Sequence, residues 1–139
     1  MRILLVEDNP ADADLIIRFC RTYGKRPSSI HRSKDGQAAL DFLHRLGDYG
    51  EAQRPDVVIL DLTLPKKDGR EVMREMLGER DLASIPVVVL TTSNRDADRA
   101  ASRALRARGF FTKPSTLDEF ESLIKRLITE DLPRLAKPA

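Results

Sequence analysis

The sequence contains no tryptophan, a single cysteine and only 5% aromatic residues. The lone Cys20 excludes an intramolecular disulfide and favours a reducing compartment. No apolar run approaches the roughly 20 residues that a membrane-spanning helix requires, and Met1 leads directly into a predicted strand rather than a signal peptide. We therefore expect a cytoplasmic protein with no membrane association.

Charge of either sign is not in excess, because 24 Lys and Arg residues face 22 Asp and Glu residues, which gives a formal net charge of +2. The basic residues are spread over predicted helices rather than grouped in one run, so we predict no nucleic-acid binding. With 139 residues, 41% of them hydrophobic, the chain suits one domain with its own core. We place this domain at 1–130 and interpret 131–139, which has two prolines and no periodic apolar face, as a C-terminal tail.

Short apolar segments alternate five times with amphipathic ones along the chain. Strands are predicted at Ile3–Val6, Ser28–Ser33, Val57–Leu60, Val87–Leu90 and Gly109–Thr112, and helices begin near Pro10, Asp35, Gly69, Arg95 and Thr116. This alternation predicts an α/β fold with a doubly wound, five-stranded parallel sheet, (βα)5, and helices on both faces. We expect the flavodoxin-like strand order 2-1-3-4-5.

Polar residues directly follow four of these strands. Glu7 and Asp8 come after the first strand, Asp61 after the third, Thr91 after the fourth and Lys113 after the fifth. In the predicted order the first and third strands are neighbours, so three carboxylates converge at one edge of the sheet. Like charges so close together repel, and a divalent cation removes the repulsion. Because oxygen ligands select Mg²⁺ over zinc or copper, we predict a magnesium site.

This set of residues is also suited to phosphoryl transfer. A carboxylate such as Asp61 is a competent nucleophile toward phosphorus and would form an aspartyl phosphate. Mg²⁺ and Lys113 would neutralise the charge on the phosphoryl oxygens, and the Thr91 hydroxyl could donate to a third oxygen. No single strand end is diagnostic, but the combination is specific.

Together with Pro65 and Gly69 after Asp61, and Pro114 after Lys113, these residues resemble the receiver domains of two-component response regulators. The resemblance extends from Ile3 to about Ile128. It implies that a histidine kinase donates a phosphoryl group to a phospho-acceptor aspartate, and that the domain catalyses only its own phosphotransfer and autodephosphorylation. Its output would then be a switch in protein contacts, or transfer of the phosphoryl group to a further histidine.

The resemblance also implies a role for each matching residue. Asp61 would be the phospho-acceptor and, with Asp8 and the backbone carbonyl of Thr63, a direct metal ligand, whereas Glu7 would bind the metal through water. Lys113 would be the phosphoryl partner, preceding a cis Lys113–Pro114 peptide. The switch residues would be Thr91 and Phe110.

A narrower resemblance links three segments to stand-alone regulators that are paired with phytochrome-type histidine kinases of cyanobacteria and other bacteria. These segments are Leu60–Val72, Leu90–Ser93 and the long connector 47–56. The implied partner is then a bacteriophytochrome. Three features depart from the pattern: Thr63 replaces a common Asn, Phe110 replaces a frequent Tyr, and the chain is basic.

Two other functions are considered. A phosphatase of the haloacid-dehalogenase type also uses an aspartate nucleophile, but it needs an acidic residue two positions later, where this chain has Thr63. A non-phosphorylated interaction module on the same fold would be expected to have lost part of the acid, hydroxyl and lysine set. This chain has kept the whole set. A stable adduct on Asp61, substrate turnover or no reaction would distinguish the three.

Finally, the sequence predicts a homodimer. The fourth predicted helix, from about Arg95 to Arg106, has only small residues for its buried side apart from Leu105; these are Ala97, Ala100, Ala101 and Ala104. It also carries a basic stripe, formed by Arg95, Arg99, Arg103 and Arg106, whereas the fifth helix carries an acidic face, formed by Asp118 and Glu121. Such faces are complementary across a two-fold axis, so we predict dimerisation through the fourth helix, the fifth strand and the fifth helix, a surface that receivers commonly use, with the tail reaching toward the partner.

Overall fold

A computed structural model describes residues 1–25 and 28–136. It contains one parallel sheet of five strands in the order β2-β1-β3-β4-β5. The strands are β1 (Arg2–Val6), β2 (Ser29–Ser33), β3 (Val57–Leu60), β4 (Val87–Thr91) and β5 (Gly109–Thr112). The predicted fold class and strand order are therefore confirmed.

Helices connect the strands and cover both faces of the sheet. The longer ones are α1 (Pro10–Tyr23), α2 (Gly36–Leu43), α3 (Gly69–Leu77), α5 (Asp96–Ala104) and α6 (Leu117–Arg126), and the short α4 (Arg80–Ala83) follows α3. Four of the longer helices begin at a capping side chain, because Asn9, Asp35, Asp68 and Thr116 each accept a hydrogen bond from a backbone N–H of the first turn.

Two apolar cores lie on opposite faces of the sheet. Alternate residues of β1, such as Leu5 and Leu4, point into different cores because successive side chains of a strand alternate in direction. One core packs the sheet against α1 and α6, and the other packs it against α2, α3 and α4. Nearly every residue of the central strands β1, β3 and β4 is buried, as expected for strands covered on both sides.

The buried side of α5 differs from the prediction. Ala97, Ala100 and Ala104 are exposed, whereas the buried residues of this helix are Asp98 and Ser102. The prediction of an alanine face was wrong because alanine marks helical periodicity only weakly. A buried carboxylate is also unfavourable unless a partner compensates it, and a sequence does not reveal distant partners.

The connector between α2 and β3 is held by aromatic packing. The ring of His31 on β2 stacks on Phe42 of α2 with centroids 4.0 Å apart, and Tyr49 packs edge-on against both at 5.4 Å. Tyr49 lies in a short 3₁₀ helix, Gly47–Tyr49, within the connector. Burial lowers the pKa of His31, which favours the neutral ring in this cluster.

The described part of the C-terminal segment, up to Ala136, is helical. A π turn (Leu127–Asp131) continues α6 into a further short helix, α7 (Leu132–Ala136). Leu132 is completely buried in the core that α1 and α6 cover. One fully buried leucine thus anchors a helix beyond residue 130, and the domain boundary at 130 stays a prediction. In the described residues, no helix is long and apolar enough to cross a membrane.

We predict that Leu132→Ala destabilises the protein by about 2–5 kcal/mol, because it removes a fully buried side chain and leaves a cavity. Urea unfolding followed by circular dichroism measures the change. Leu117→Ala is the matched control, since Leu117 is 58% exposed, and it should change the stability by no more than about 0.5 kcal/mol. Equal stability of Leu132→Ala and the unmodified protein would contradict the packing of α7.

Candidate functional site

The candidate site lies where the strands end. Val6 of β1 is in register with Leu60 of β3, so the residues that follow both strands emerge side by side. The backbone N–H of Asp61 donates to the carbonyl of Val6 at 3.1 Å, which continues the pairing by one residue. On the other side, the N–H of Lys113 donates to the carbonyl of Thr91 at 2.7 Å. The sheet therefore brings together the four predicted strand ends.

Three carboxylates form a cluster at this edge. Glu7, Asp8 and Asp61 each offer an oxygen, and these oxygens lie within 4.8 Å of one another. Glu7 and Asp61 are buried, at 2% and 6% exposure, whereas Asp8 is exposed. Carboxylate oxygens in this arrangement fit a hard divalent cation, and the exposed Asp8 leaves the cluster open to solvent on one side.

Lys113 compensates the negative charge of the cluster. Its buried ammonium lies 2.6 Å from an oxygen of Glu7, 3.1 Å from Asp61 and 2.9 Å from Asp12. Burial disfavours the charged ammonium, but the hydrogen bonds with Glu7 and Asp12 and the nearby charge of Asp61 outweigh it and raise the pKa of Lys113. Burial raises the pKa of Glu7, and Lys113 opposes that rise. The lysine is therefore held charged within the cluster.

The predicted cis Lys113–Pro114 peptide is wrong, because the described residues contain no cis peptide bond. The trans form of an X–Pro bond is favoured by about 0.5–1 kcal/mol, so cis requires a compensating constraint. The long side chain of Lys113 reaches the carboxylates from a trans backbone, and no such constraint is needed to direct it into the site.

Gly69 fixes the segment after Asp61. Its N–H donates to the carbonyl of Leu62 at 2.9 Å, and a Cβ at this position would lie 2.5 Å from the carbonyl oxygen of Asp61. Only glycine permits this approach, which holds the start of α3 against the backbone of Asp61. Within the same turn, the N–H of Thr63 donates to a side-chain oxygen of Asp61 at 3.1 Å and orients the carboxylate.

The comparisons with known proteins agree with this geometry. The family model for the response regulator receiver domain matches residues 3–125. The chain belongs to this family. It is 40% identical over 141 residues to response regulator Rcp1 of Synechocystis, an alignment that covers 99% of this chain and 92% of that protein.

Solved structures of response regulators are also similar to this chain. The Mn²⁺-bound form of Rcp1 superimposes with a TM-score of 0.93 at 39% identity, covering 99% of both chains. The phosphorylated cyanobacterial phytochrome response regulator RcpA gives 0.87 at 38% identity over 94% of each chain. The bacteriophytochrome response regulator AtBRR gives 0.73 at 38% identity, covering 91% of each.

The two predicted switch residues lie on adjacent strands of the receiver. Thr91, at the end of β4, is completely buried, and its hydroxyl oxygen accepts a long hydrogen bond of 3.5 Å from the N–H of Ser93. Phe110 on β5 is half-buried, and the guanidinium of Arg99 lies over its ring, 4.7 Å from the centroid. Thr63, whose carbonyl is a predicted metal ligand, is exposed beside the cluster.

Sequence reasoning missed two residues of this receiver site. Asp12, in the first turn of α1, contacts Lys113. The available signal was its position in the first turn of a helix that begins at Pro10, shortly after the end of β1, because such a turn lies beside the strand ends. Arg32 donates from Nε to the carbonyl of Glu7 at 3.1 Å. A contact with a backbone carbonyl leaves no pattern in the sequence, so Arg32 could not have been identified.

We predict that Asp8→Asn weakens Mg²⁺ binding more than Glu7→Gln does. The carboxylate of Glu7 is buried and already occupied by Lys113 and the N–H of Asn9, whereas Asp8 is exposed and free to bind a metal directly. The loss for Asp8→Asn should exceed the roughly tenfold effect typical of an outer ligand.

Calorimetric titration with Mg²⁺ measures this order, since the protein has no tryptophan to report binding by fluorescence. Asp14→Asn, which removes an exposed carboxylate of α1 outside the cluster, is the control and should bind as the unmodified protein does. Unchanged affinity in Asp8→Asn would contradict the proposed ligand set.

Proposed function

We propose that this receiver accepts a phosphoryl group on Asp61 from a histidine kinase and thereby switches its contacts with other proteins. The observation that carries the proposal is the buried ammonium of Lys113 at 3.1 Å from Asp61, inside a cluster of carboxylates at the open edge of the sheet. A buried lysine beside the acceptor supplies the positive charge that an incoming phosphoryl group requires.

The transfer itself is a simple displacement. A carboxylate oxygen of Asp61 attacks the phosphorus of a phosphohistidine, the P–N bond breaks, and the imidazole leaves with its electron pair and takes up a proton. The product is an acyl phosphate on Asp61. The N–H of Thr63 holds the other carboxylate oxygen and so directs the attacking one, and Lys113 donates to a phosphoryl oxygen as charge accumulates.

The metal of this site is proposed to be Mg²⁺, bound directly by Asp8, Asp61 and the backbone carbonyl of Thr63 and through water by Glu7. Its donor set fits, because every proposed ligand atom is an oxygen and the three carboxylates lie close together. When bound, the ion neutralises charge on the phosphoryl group and on the carboxylates. Lys113 and the metal then share the charge balance, since one ammonium cannot offset three carboxylates alone.

Two further roles complete the proposal. The hydroxyl of Thr91 would move to donate to a phosphoryl oxygen, and Phe110 would change rotamer into the space that Thr91 leaves. Phe110 has no hydroxyl, so only its ring position can signal the change. The sole chemistry expected of the domain is its own phosphotransfer and autodephosphorylation, the latter at a rate that Thr63 influences from beside the acceptor.

The proposed donor is a phytochrome-type histidine kinase. This rests on the similarity over nearly the whole chain to the phytochrome response regulator RcpA and to bacteriophytochrome response regulators. The connector 47–56, packed on β2 through Tyr49, belongs to the segments that carry this narrower resemblance. The cytoplasmic location expected from the sequence stays a prediction.

We predict that Asp61→Asn keeps the fold but abolishes phosphorylation, because an amide is a poor nucleophile toward phosphorus. The change removes one of three crowded negative charges, so the stability should not fall. Intact-protein mass spectrometry after incubation with Mg²⁺ and acetyl phosphate detects the adduct. Asp14→Asn should be phosphorylated as the unmodified protein is, and an undiminished adduct in Asp61→Asn would show that another residue is the acceptor.

We also propose a homodimer through α5, β5 and α6, the surface predicted from the sequence. Two of the charged residues predicted for this surface are unsuited to it. Arg106 lies beyond the end of α5 with a positive φ of 66°, so it leaves the stripe, and Glu121 is engaged by the hydroxyl of Tyr23 on α1. Arg103 and Asp118 are exposed, and the alanines that face outward on α5 would allow close approach of a second copy.

We predict that Arg103→Glu weakens this dimer and that combining it with Asp118→Lys restores association, because the pair would again be of opposite sign across the two-fold axis. Sedimentation velocity over a concentration series measures the equilibrium, with and without acetyl phosphate. Arg74→Glu, an exposed arginine on α3, is the control. Dimerisation of Arg103→Glu as tight as that of the unmodified protein would place the interface elsewhere.

A further inference from the structure

Asp98 is a buried carboxylate outside the proposed phosphorylation site. It lies in the first turn of α5 at 5% exposure and is contacted by residues from α3 and from the segment after β4. Arg70 of α3 forms an ion pair with one oxygen, and the hydroxyl of Ser93 and the guanidinium of Arg95, the latter at 3.1 Å, contact the other. The hydrogen bond from Ser93, with the two arginines, lowers the pKa of Asp98 and keeps it charged.

Ser93 connects this carboxylate to the proposed switch. It lies two residues after Thr91, and its N–H donates to the Thr91 hydroxyl at 3.5 Å. Its carbonyl accepts a hydrogen bond of 2.9 Å from the hydroxyl of Thr112, the residue before Lys113. Asp98 therefore holds a residue that contacts both Thr91 and the last residue of β5, directly before Lys113.

Arg70 connects the same carboxylate to the acceptor. It directly follows Gly69, whose close approach fixes the start of α3 against the backbone of Asp61. The ion pair thus links the segment after Asp61 to the segment after Thr91 by side chains alone. No step of the phosphotransfer described above uses this link.

Apolar packing does little to hold α5. Its two buried side chains are Asp98 and Ser102, and the Ser102 hydroxyl is buried with no hydrogen-bond partner. A helix held by apolar packing resists displacement over a broad surface. By contrast, a helix held mainly by polar contacts to one carboxylate has a discrete position that is lost when those contacts open.

We propose that Asp98 is a positioning residue: its ion pair with Arg70 holds α5 and the segment after β4 in the arrangement seen here and opposes the movement of Thr91 toward a phosphoryl group on Asp61. This inference rests on the proposed role of Thr91. Opening of the pair is then part of the response to phosphorylation. By linkage, weakening the pair must strengthen binding of a phosphoryl group at the acceptor.

Beryllofluoride with Mg²⁺, a stable analogue of the phosphoryl group, provides the test. Asp98→Asn and Arg70→Met should each bind it more tightly, by roughly threefold to thirtyfold, the range of coupling typical between linked sites. The double variant should show no further gain, since both changes remove one interaction. Arg70→Lys keeps the charge and should stay close to the unmodified protein.

Matched controls remove the same charges from the same helices. Asp96→Asn on α5 and Arg74→Met on α3 change exposed residues that have no ion pair in the described part of the chain, and both should bind beryllofluoride normally. Hydrogen exchange provides a second readout: α5 amides should exchange faster in Asp98→Asn without ligand and should change less on binding.

The outcomes are separable. If Asp98→Asn and Arg70→Met lose stability in urea but bind beryllofluoride with unchanged or weaker affinity, the pair is only structural and the inference is wrong. If the unmodified protein itself neither binds beryllofluoride nor becomes phosphorylated, the proposed function fails instead. Tighter binding in Asp96→Asn as well would indicate a general charge effect and would also overturn the inference.

Discussion

The structure depends on one charge balance at the open edge of the sheet. Parallel strands in the order found here direct the ends of β1 and β3 to the same place, and the chain puts acidic residues at both ends. Two of those carboxylates are buried, which is unfavourable without a partner. The ammonium of Lys113, brought in from the far strand, supplies it. The site is thus built around a deficit of positive charge.

The deficit of positive charge favours binding of a cation at this site. Three carboxylates and one lysine leave net negative charge in a partly desolvated space, so a divalent cation is favoured there. Once such an ion is bound, an incoming phosphoryl group meets positive charge from two sides. Asp12 of α1 adds a further negative charge, and its carboxylate forms an ion pair with Lys113. Through Lys113, a change in the charge of Asp61 would therefore affect contacts with Glu7 after β1 and with Asp12 of α1.

Much of the fold and site could be predicted from the sequence because both follow from local patterns. Continuous apolar runs mark strands buried on two faces, and polar residues directly after those runs must lie at one edge of a parallel sheet. Asp61 and Lys113 were predicted to meet for this reason alone. Asp98 could not be predicted, because its burial depends on Arg70, which is 28 residues away in the chain. The buried residues of α5 are polar, whereas a periodic pattern of apolar residues can reveal only an apolar buried side.

The C-terminal helices α6 and α7 are joined by a π turn, and this turn determines which side chains of the segment face the core. Phe120, Ile124, Ile128 and Leu132 are all buried, at intervals of four residues. In an α-helix with 3.6 residues per turn, a row spaced by four drifts around the axis by about 40° at each step. The π turn, in which the N–H of Leu132 donates to the carbonyl of Leu127, winds less per residue and takes back part of that drift. One extra residue in the turn thus keeps Leu132 on the side of the core, and the helix runs on from there to Ala136.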